Sequence, residues 1–450
     1  DNNLDNIWSQ NGIALTPQND QRNAYLVDLG QNGVGCFWSE TRSFINGFDI
    51  YFQELDINGA IQLGAGGVGV AQSNGDDYIQ EIIPTPDGHF LIFWIEEIWP
   101  ASRLNFNKID ANGSTAINWP PSGYSLSNQS LKAKNLSVKI ISDSEGVLAV
   151  WNQDGNFSDI YAQKINWEGV VQWENFGVPV CTADNDQSAI SFDIDSNGAH
   201  AFISWEDYRN GTDYNIIGKE IDINSGIISS EEIYFSSDTT SQQRPLVTAV
   251  APGEFILIWE DGRGYYNSDP LLINGVDLYG SAFIVGSGRT TGVDGIPISV
   301  EYHDQKKAQM TQYNGEDYLL HWIDLRSSGK EDLANYYAKT IRRSNILNVE
   351  EDQSFTLPNS FKVETVYPNP FNGKISFDFI VSSPDLIEFK LFDIAGRLVA
   401  DQIVLSSAPG RHKISWDGRD RFGKFVASGV YYYQFKLDQY IDKGKITYLK

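Results

Sequence analysis

Six nearly unbroken apolar stretches run along the first three quarters of the chain, and each ends in a tryptophan followed by polar residues. They are VGCFWSETR (Val34 to Arg42), FLIFWIEE (Phe90 to Glu97), VLAVWNQD (Val147 to Asp154), AHAFISWEDYR (Ala199 to Arg209), FILIWEDGR (Phe255 to Arg263) and YLLHWIDLR (Tyr318 to Arg326). Their tryptophans, Trp38, Trp94, Trp151, Trp205, Trp259 and Trp322, lie 56, 57, 54, 54 and 63 residues apart. A strand with one wet face alternates apolar and polar positions, so continuous apolar runs predict strands covered on both faces. A turn glycine (Gly33, Gly88, Gly146, Gly198, Gly253 or Gly315) stands five to seven residues ahead of each tryptophan. Each tryptophan strand is therefore expected to pair antiparallel with the strand before it. A third strand follows, as in DIYFQELD (Asp49 to Asp56), DIYAQKI (Asp159 to Ile165) and NYYAKTI (Asn335 to Ile341). A fourth, less regular one is seen in GVPVCTA (Gly177 to Ala183) and EEIYFSS (Glu231 to Ser237), and IWSQNGIAL (Ile7 to Leu15) is its counterpart at the start.

A four-stranded meander repeated at this period is the pattern of a β-propeller blade. The expected fold is all-β, a six-bladed β-propeller over residues 1–345, with seven blades as the alternative. An open solenoid fits less well, because it would need polar capping repeats that the sequence does not contain. After Arg343 the repeat stops. Residues 346–364 read as an acidic linker, and 365–450 as a second, strand-rich domain, expected to be a small antiparallel sandwich.

Composition narrows the partners. The 450 residues carry 33 Lys and Arg against 59 Asp and Glu, a formal charge of −26, which repels nucleic acid and anionic membrane surfaces. No apolar run reaches the roughly 18–20 residues of a membrane span, so no membrane insertion is expected. The sole methionine is Met310, so a chain opening on Asp1 is read as a processed form. Cys36 and Cys181 fall in the first repeat and at the start of the fourth, and are expected to be two free thiols rather than a disulfide.

Four C-terminal motifs occur in order: YPNPFN (Tyr367, Pro368, Asn369, Pro370, Phe371, Asn372), LFDIAGRLV with Gly396, WDGRDRFGKFVASGVYYY with Trp416, Asp417, Gly418 and Gly429, and KITYLK ending at Lys450. Together they resemble the C-terminal sorting domain of proteins exported by the bacterial type IX secretion system. The same sandwich is similar to the immunoglobulin-like domain of flagellar hook-capping proteins. The resemblance implies a bacterium with an outer membrane, a removed signal peptide, recognition by the type IX secretion translocon, and a secreted or cell-surface location. In that family the domain is often cleaved and the cargo attached to surface lipopolysaccharide. Locally, the prolines enforce an extended entry, and Gly418 and Gly429 are expected to permit turns.

Variable loops on a rigid scaffold carry recognition, and here these are the connections after the tryptophans. They collect Trp99, Arg103, Asp207, Arg209, Asp261, Arg263, Tyr265, Tyr266, Asp324 and Arg326, the candidate ligand-binding residues. Aromatic rings beside carboxylates suit a glycan, since rings stack on apolar sugar faces and carboxylates accept hydroxyl hydrogen bonds. The recurring Trp-x-Asp-x-Arg spacing has a second reading, a salt bridge that closes each blade corner. Trp99, Tyr265 and Tyr266 break the repeat and so carry more specific information. No HExxH or GxSxG motif occurs, and the Ser-x-Asp-x-Gly-x-Thr-Trp box of six-bladed sialidases is absent. His89, His200, His303, His321 and His412 are scattered along the chain. Asp193, Asp195, Asn197 and Gly198 mimic the start of a calcium loop, but the twelfth position is Ser204, so a hairpin turn is the better account and no cofactor is expected. The expected function is a non-enzymatic binding protein for glycan or an envelope protein. A structural subunit of an extracellular or secretion-associated assembly is the alternative, and a glycoside hydrolase with channel carboxylates the second.

Overall fold

The computed structural model describes residues 12–16, 20–43, 47–236, 240–263, 275–300, 303–326, 334–343, 346, 361–381, 385–406, 410–437 and 440–449. Apart from a 3-10 turn at Gly30–Asn32, the regular elements among them are strands. They fall into two compact units, Asp1–Glu351 and Asp352–Lys450.

The first unit contains the six repeats. The tryptophan strands are Val34–Ser43, Phe90–Ile98, Gly146–Asp154, His200–Asp207, Glu254–Asp261 and Asp317–Asp324. Each pairs antiparallel with the strand before it and with the strand after it. A fourth strand joins the third at Val68–Ala71, Tyr124–Ser125, Val178–Cys181, Ile233–Tyr234 and Ile296–Ser299. The sixth repeat is a three-stranded sheet, Gln305–Asn314, Asp317–Asp324 and Asn335–Arg342. Of the expected N-terminal counterpart strand, residues 7–11 lie outside the described residues, and residues 12–16 form no regular element.

The double burial inferred from the apolar runs has a specific cause. Each of the first five tryptophan strands contributes alternate side chains to two different cores. In the sixth, Leu320 and Trp322 are buried and Leu319, His321 and Ile323 are only half-buried, a strand covered on one face. In repeat 3, Val147, Ala149 and Trp151 pack with Leu91, Phe93 and Leu104 of repeat 2, while Leu148 and Val150 pack with Phe192, Ile203 and Trp205 of repeat 4. The same sharing joins repeats 1 and 2, 4 and 5, and 5 and 6. A fully buried side chain of this kind contributes roughly 1.5–3 kcal/mol, so the interfaces between repeats hold most of the unit's stabilising surface. Among the described residues, no core cluster joins repeat 6 to repeat 1.

Two local features depart from a plain repeat. The first strand of every repeat carries a β-bulge at the level of the tryptophan, and in five of them Asn23, Asn135, Ala189, Arg244 or Lys307 takes a positive φ there. A bulge adds one residue to one strand and twists it. Asparagine tolerates this conformation, but Ala189, Arg244 and Lys307 give no sequence sign of it. The second departure is a parallel contact, Ser102 opposite Lys132, which fuses repeats 2 and 3 into one eight-stranded sheet.

Cys36 and Cys181 are buried free thiols. Burial pushes each up to about 11. Ile346, placed by the sequence at the head of the linker, is 2 % exposed and packs with Ile256, Leu320 and Trp322 of the first unit.

The second unit has two sheets. One holds Phe361–Tyr367, Ile375–Val381 and Gly410–Trp416; the other holds Asp385–Phe392, Leu398–Ser406, Gly429–Leu437 and Tyr440–Tyr448. They enclose one aromatic core, in which Phe377 meets Phe389 at 4.9 Å and Tyr433 at 5.1 Å between ring centroids.

Candidate ligand-binding rim and the C-terminal domain

The carboxylates of the Trp-x-Asp-x-Arg spacing point inward. Asp207, Asp261 and Asp324 are fully buried. In repeat 5 the Trp259 indole donates to Asp261 Oδ2 at 2.9 Å, and Arg263 donates to the same carboxylate through its backbone amide, Nε and Nη2 at 2.9, 2.8 and 2.6 Å. Repeats 4 and 6 repeat this geometry with Trp205, Asp207 and Arg209, and with Trp322, Asp324 and Arg326. Repeat 1 has a variant of it with a longer acid, Glu40, whose Oε2 alone accepts the Trp38 indole and the Nε and Nη2 of Arg42. The bidentate pairing of repeats 4, 5 and 6 is among the stronger charge-assisted arrangements.

In repeats 1, 5 and 6 the arginine then covers a tyrosine of the third strand. Arg42, Arg263 and Arg326 lie 3.5, 3.9 and 4.1 Å from the ring centres of Tyr51, Tyr279 and Tyr337. Arg263 Nη2 also donates to the Asp294 carbonyl at 3.0 Å, just before Gly295. At Gly295 the backbone is left-handed, and an added Cβ would lie 2.3 Å from Trp259 Cη2, so only glycine seats the fourth strand on the indole.

Repeat 4 differs. Ile217 stands opposite Trp205 where repeats 1, 3, 5 and 6 have tyrosine, and Arg209 instead reaches Glu232, Tyr234 and, at 3.4 Å, Cys181 Sγ. Burial alone would raise the Glu232 carboxyl, but the Arg209 guanidinium and the Lys219 ammonium bring it below the usual range. The same carboxylates hold Arg209 well above its ordinary value.

Among the predicted rim residues, the structure therefore buries Asp207, Asp261 and Asp324 and engages Arg209, Arg263 and Arg326 with them. Trp99 is 89 % exposed. Arg103 sits 3.8 Å from Glu96, which also accepts from Asn105 at 3.1 Å. Tyr265 and Tyr266 lie outside the described residues. The calcium-like run is a turn: Asp195 Oδ1 accepts the amides of Ala199 and His200, and its Oδ2 accepts that of Gly253. Among the described residues no group of three or more His, Cys, Asp or Glu is arranged to hold a metal, and no helix is long and apolar enough to cross a membrane.

Sequence reasoning missed Asp77. It occupies the position held by Gln187, Gln242 and Gln305 in repeats 4, 5 and 6, opposite the corner acid. The glutamines donate to loop carbonyls, whereas Asp77 accepts from the Ser73 amide and hydroxyl, both at 3.0 Å. Burial pushes its carboxyl up to about 7, with the Ser73 bonds opposing the rise and the Glu96 and Asp49 charges adding to it.

In the second unit, the YPNPFN run is fastened to the last strand. Asn369 Nδ2 donates to the Lys445 carbonyl at 3.1 Å, and its Oδ1 accepts the Thr447 amide at 2.9 Å. Phe371 is buried against Trp416 and Tyr448, and its backbone exchanges bonds with Thr447 and Leu449 at 2.9 and 2.7 Å. The Trp416 indole donates to the Arg419 carbonyl at 2.6 Å, and Asp417 pairs with Arg419. Gly396 and Gly418 take left-handed turn conformations, and a Cβ on Gly418 would lie 2.8 Å from the Tyr448 ring. Gly429, expected in a turn, opens a strand opposite Tyr448 instead. Tyr367 accepts from Lys413 at 3.2 Å, Pro368, Pro370 and Asn372 are exposed, and Lys450 lies outside the described residues.

Residues 365–447 match the family of secretion system C-terminal sorting domains. With that domain the protein is secreted or held at the cell surface, exported by the type IX secretion system. The sorting domain's motifs serve the packing of one sandwich.

No curated protein matches the chain. Among solved structures, the hook-capping protein FlgD from Xanthomonas campestris aligns at 22% identity over 22% of this chain and 71% of its own, with a TM-score of 0.16. PorZ, a surface component of the type IX secretion system of Porphyromonas gingivalis, aligns at 13% identity over 92% of this chain and 50% of its own, with a TM-score of 0.30. An endo-arabinase from Bacteroides thetaiotaomicron aligns at 8% identity over 71% of this chain and 93% of its own, with a TM-score of 0.26.

Proposed function

We propose that the first unit is a closed ring of six blades that binds a glycan at the rim bearing the loops after the tryptophans, without turning it over. The reading is carried by the contrast on that rim. The repeated acids are buried and fully engaged, which removes them from chemistry, while Trp99 stands exposed where the repeat is broken. The buried Glu206 and Glu260 are likewise tied to the next repeat, accepting the amides of Arg244 and Lys307 at 2.8 and 2.7 Å. The test is retardation of the pure protein in gels cast with arabinan, xylan, galactan or mannan, alongside a reducing-sugar assay on the same polymers. Retardation by at least one polymer with no sugar released is the expected result. Sugar release would establish a hydrolase instead.

Closure of the ring rests on residues 12–16. Gly12-Ile13-Ala14-Leu15-Thr16 has the pattern of Gly177-Val178-Pro179-Val180-Cys181 and Gly295-Ile296-Pro297-Ile298-Ser299, and Gly12 shares their left-handed φ. Leu15 packs against Trp38, just as Val180 packs in the core of Trp205 and Ile298 in that of Trp322. These likenesses support a ring in which residues 12–16 serve, beside repeat 1, as the fourth strand of the sixth blade. The register of Ala162 with Val178 and of Gly280 with Ile296 then pairs Ala338 with Ile13. Paired Cα atoms in antiparallel strands lie about 4.5–5.5 Å apart, within reach of a disulfide. Mild oxidation of the Ile13→Cys/Ala338→Cys double variant is therefore expected to form an intramolecular disulfide, seen as a gel-mobility shift reversed by reductant. The native thiols, pushed up to about 11, do not compete. Two thiols that stay free would mean an open chain.

A further inference from the structure

A cleft of about 520 Å³ opens on the tryptophan-loop side of repeats 2 and 3 and reaches Asp186 at the start of repeat 4. One residue of its lining departs from the repeat. In repeats 1, 4, 5 and 6 the fourth residue after tryptophan is an arginine that fills the corner, namely Arg42, Arg209, Arg263 and Arg326. In repeat 3 that residue is Gly155, which lines the cleft, and Gln153 replaces the corner acid. Tyr161 still stacks on Trp151, with ring centres 6.1 Å apart, but no arginine lies over it.

The base of the cleft is firm. Leu131 and Lys132 line it, and there the Ser102 amide donates to the Leu131 carbonyl at 3.3 Å and the Ser102 hydroxyl to the Ala133 carbonyl at 2.9 Å. This is the parallel contact that fuses the two repeats into one sheet. A site held on hydrogen-bonded strands keeps its geometry better than one held on loops alone.

Its polar groups are partly engaged with one another and partly free. Ser158 lines the cleft and is 3 % exposed, yet its hydroxyl has no hydrogen-bond partner, a condition that buried hydroxyls avoid unless a ligand or water completes them. Its backbone amide donates to Asp186 Oδ1 at 3.0 Å, which orients that carboxylate at the cleft wall. Lys134 pairs with Asp154 at 2.8 Å. Neither Lys132 nor Asn156 makes a side-chain hydrogen bond or ion pair among the described residues. Phe157, 40 % exposed, supplies an apolar face, and Trp99 precedes the cleft-lining Pro100.

We infer that this cleft is the glycan subsite, taking one or two neutral sugar residues of a polysaccharide; the inference rests on the glycan-binding reading above. Phe157 stacks on a sugar face, Lys132 and Asn156 donate to hydroxyl oxygens, and Asp186 accepts from a hydroxyl. The two lysines balance the two aspartates, so no net charge favours an acidic sugar. The volume lies within the range of about 300–1,000 Å³ typical of small-molecule sites.

The test uses the full chain, with affinity electrophoresis in arabinan, xylan, galactan and mannan gels. Lys132→Ala, Asn156→Ala and Phe157→Ala are each expected to weaken retardation about tenfold, the effect of one lost hydrogen bond or stacking face, with unchanged melting temperatures. Tyr313→Ala, at a residue 69 % exposed on the hairpin of repeat 6, is expected to match the wild type. Wild-type retardation that all three cleft variants retain would overturn the subsite and leave the glycan reading standing. A wild type that no polymer retards would overturn both.

Discussion

Asp261→Ala is expected to lower the stability of the first unit by about 3–5 kcal/mol, the loss seen when one partner of a buried ion pair is removed. The carboxylate accepts the Trp259 indole, the Arg263 amide and two guanidinium nitrogens, and it is fully buried. Alanine would leave an indole donor and a half-buried guanidinium without their acceptor. Asp261→Asn retains one acceptor oxygen and should lose less, about 1–3 kcal/mol. Urea unfolding followed by tryptophan fluorescence measures both. A loss under about 1 kcal/mol for the alanine variant would show that the corner is not structural, and would return Asp261, Asp207 and Asp324 to the roster of binding groups.

The second large effect is a pH dependence centred on Asp77. Its carboxyl, pushed up to about 7 in the folded chain from an ordinary 3.8, holds its proton where the unfolded chain has lost it. The folded state binds more protons between these values, so stability falls as pH rises from about 4 to 7 and then levels off. A rise of about three pK units corresponds to about 4 kcal/mol. Asp77→Asn removes the ionisation and should flatten this part of the profile, so the variant would be more stable than the wild type at pH 8 and close to it at pH 4. The neutral amides of Gln187, Gln242 and Gln305 show that the position accepts such a group. Parallel profiles for the two proteins between pH 4 and 8 would refute the assignment.

The parts of the fold that were legible in the sequence are those imposed on every repeat alike. Trp151 and Trp205 sit in continuous apolar runs because each strand serves two cores, and that requirement leaves a periodic mark. The bulges did not show, since Arg244 and Lys307 adopt a left-handed backbone that their side chains do not advertise. The corner acids were legible as a motif but ambiguous in role; their burial favours the salt-bridge reading, and spacing alone cannot report burial. The cleft was missed for a different reason. Its lining comes from segments far apart in the chain, Pro100, 130–134, 154–158 and Asp186, and only Gly155, in an arginine's place, marks it in the repeat. In the sorting domain, YPNPFN was legible as a motif, but its attachment to residues 445–449 depends on contacts across nearly the whole domain.

That attachment has a mechanical consequence. Residues 369–371 run parallel to 445–449 and are bonded to them through Asn369 and Phe371. Tension that enters the domain at Phe361–Tyr367 and leaves through Tyr440–Tyr448 would pull these two segments past one another lengthwise, loading their hydrogen bonds together rather than one after another. The sorting domain thus carries a shear clamp between its first and last segments, one that yields only when several hydrogen bonds break at once.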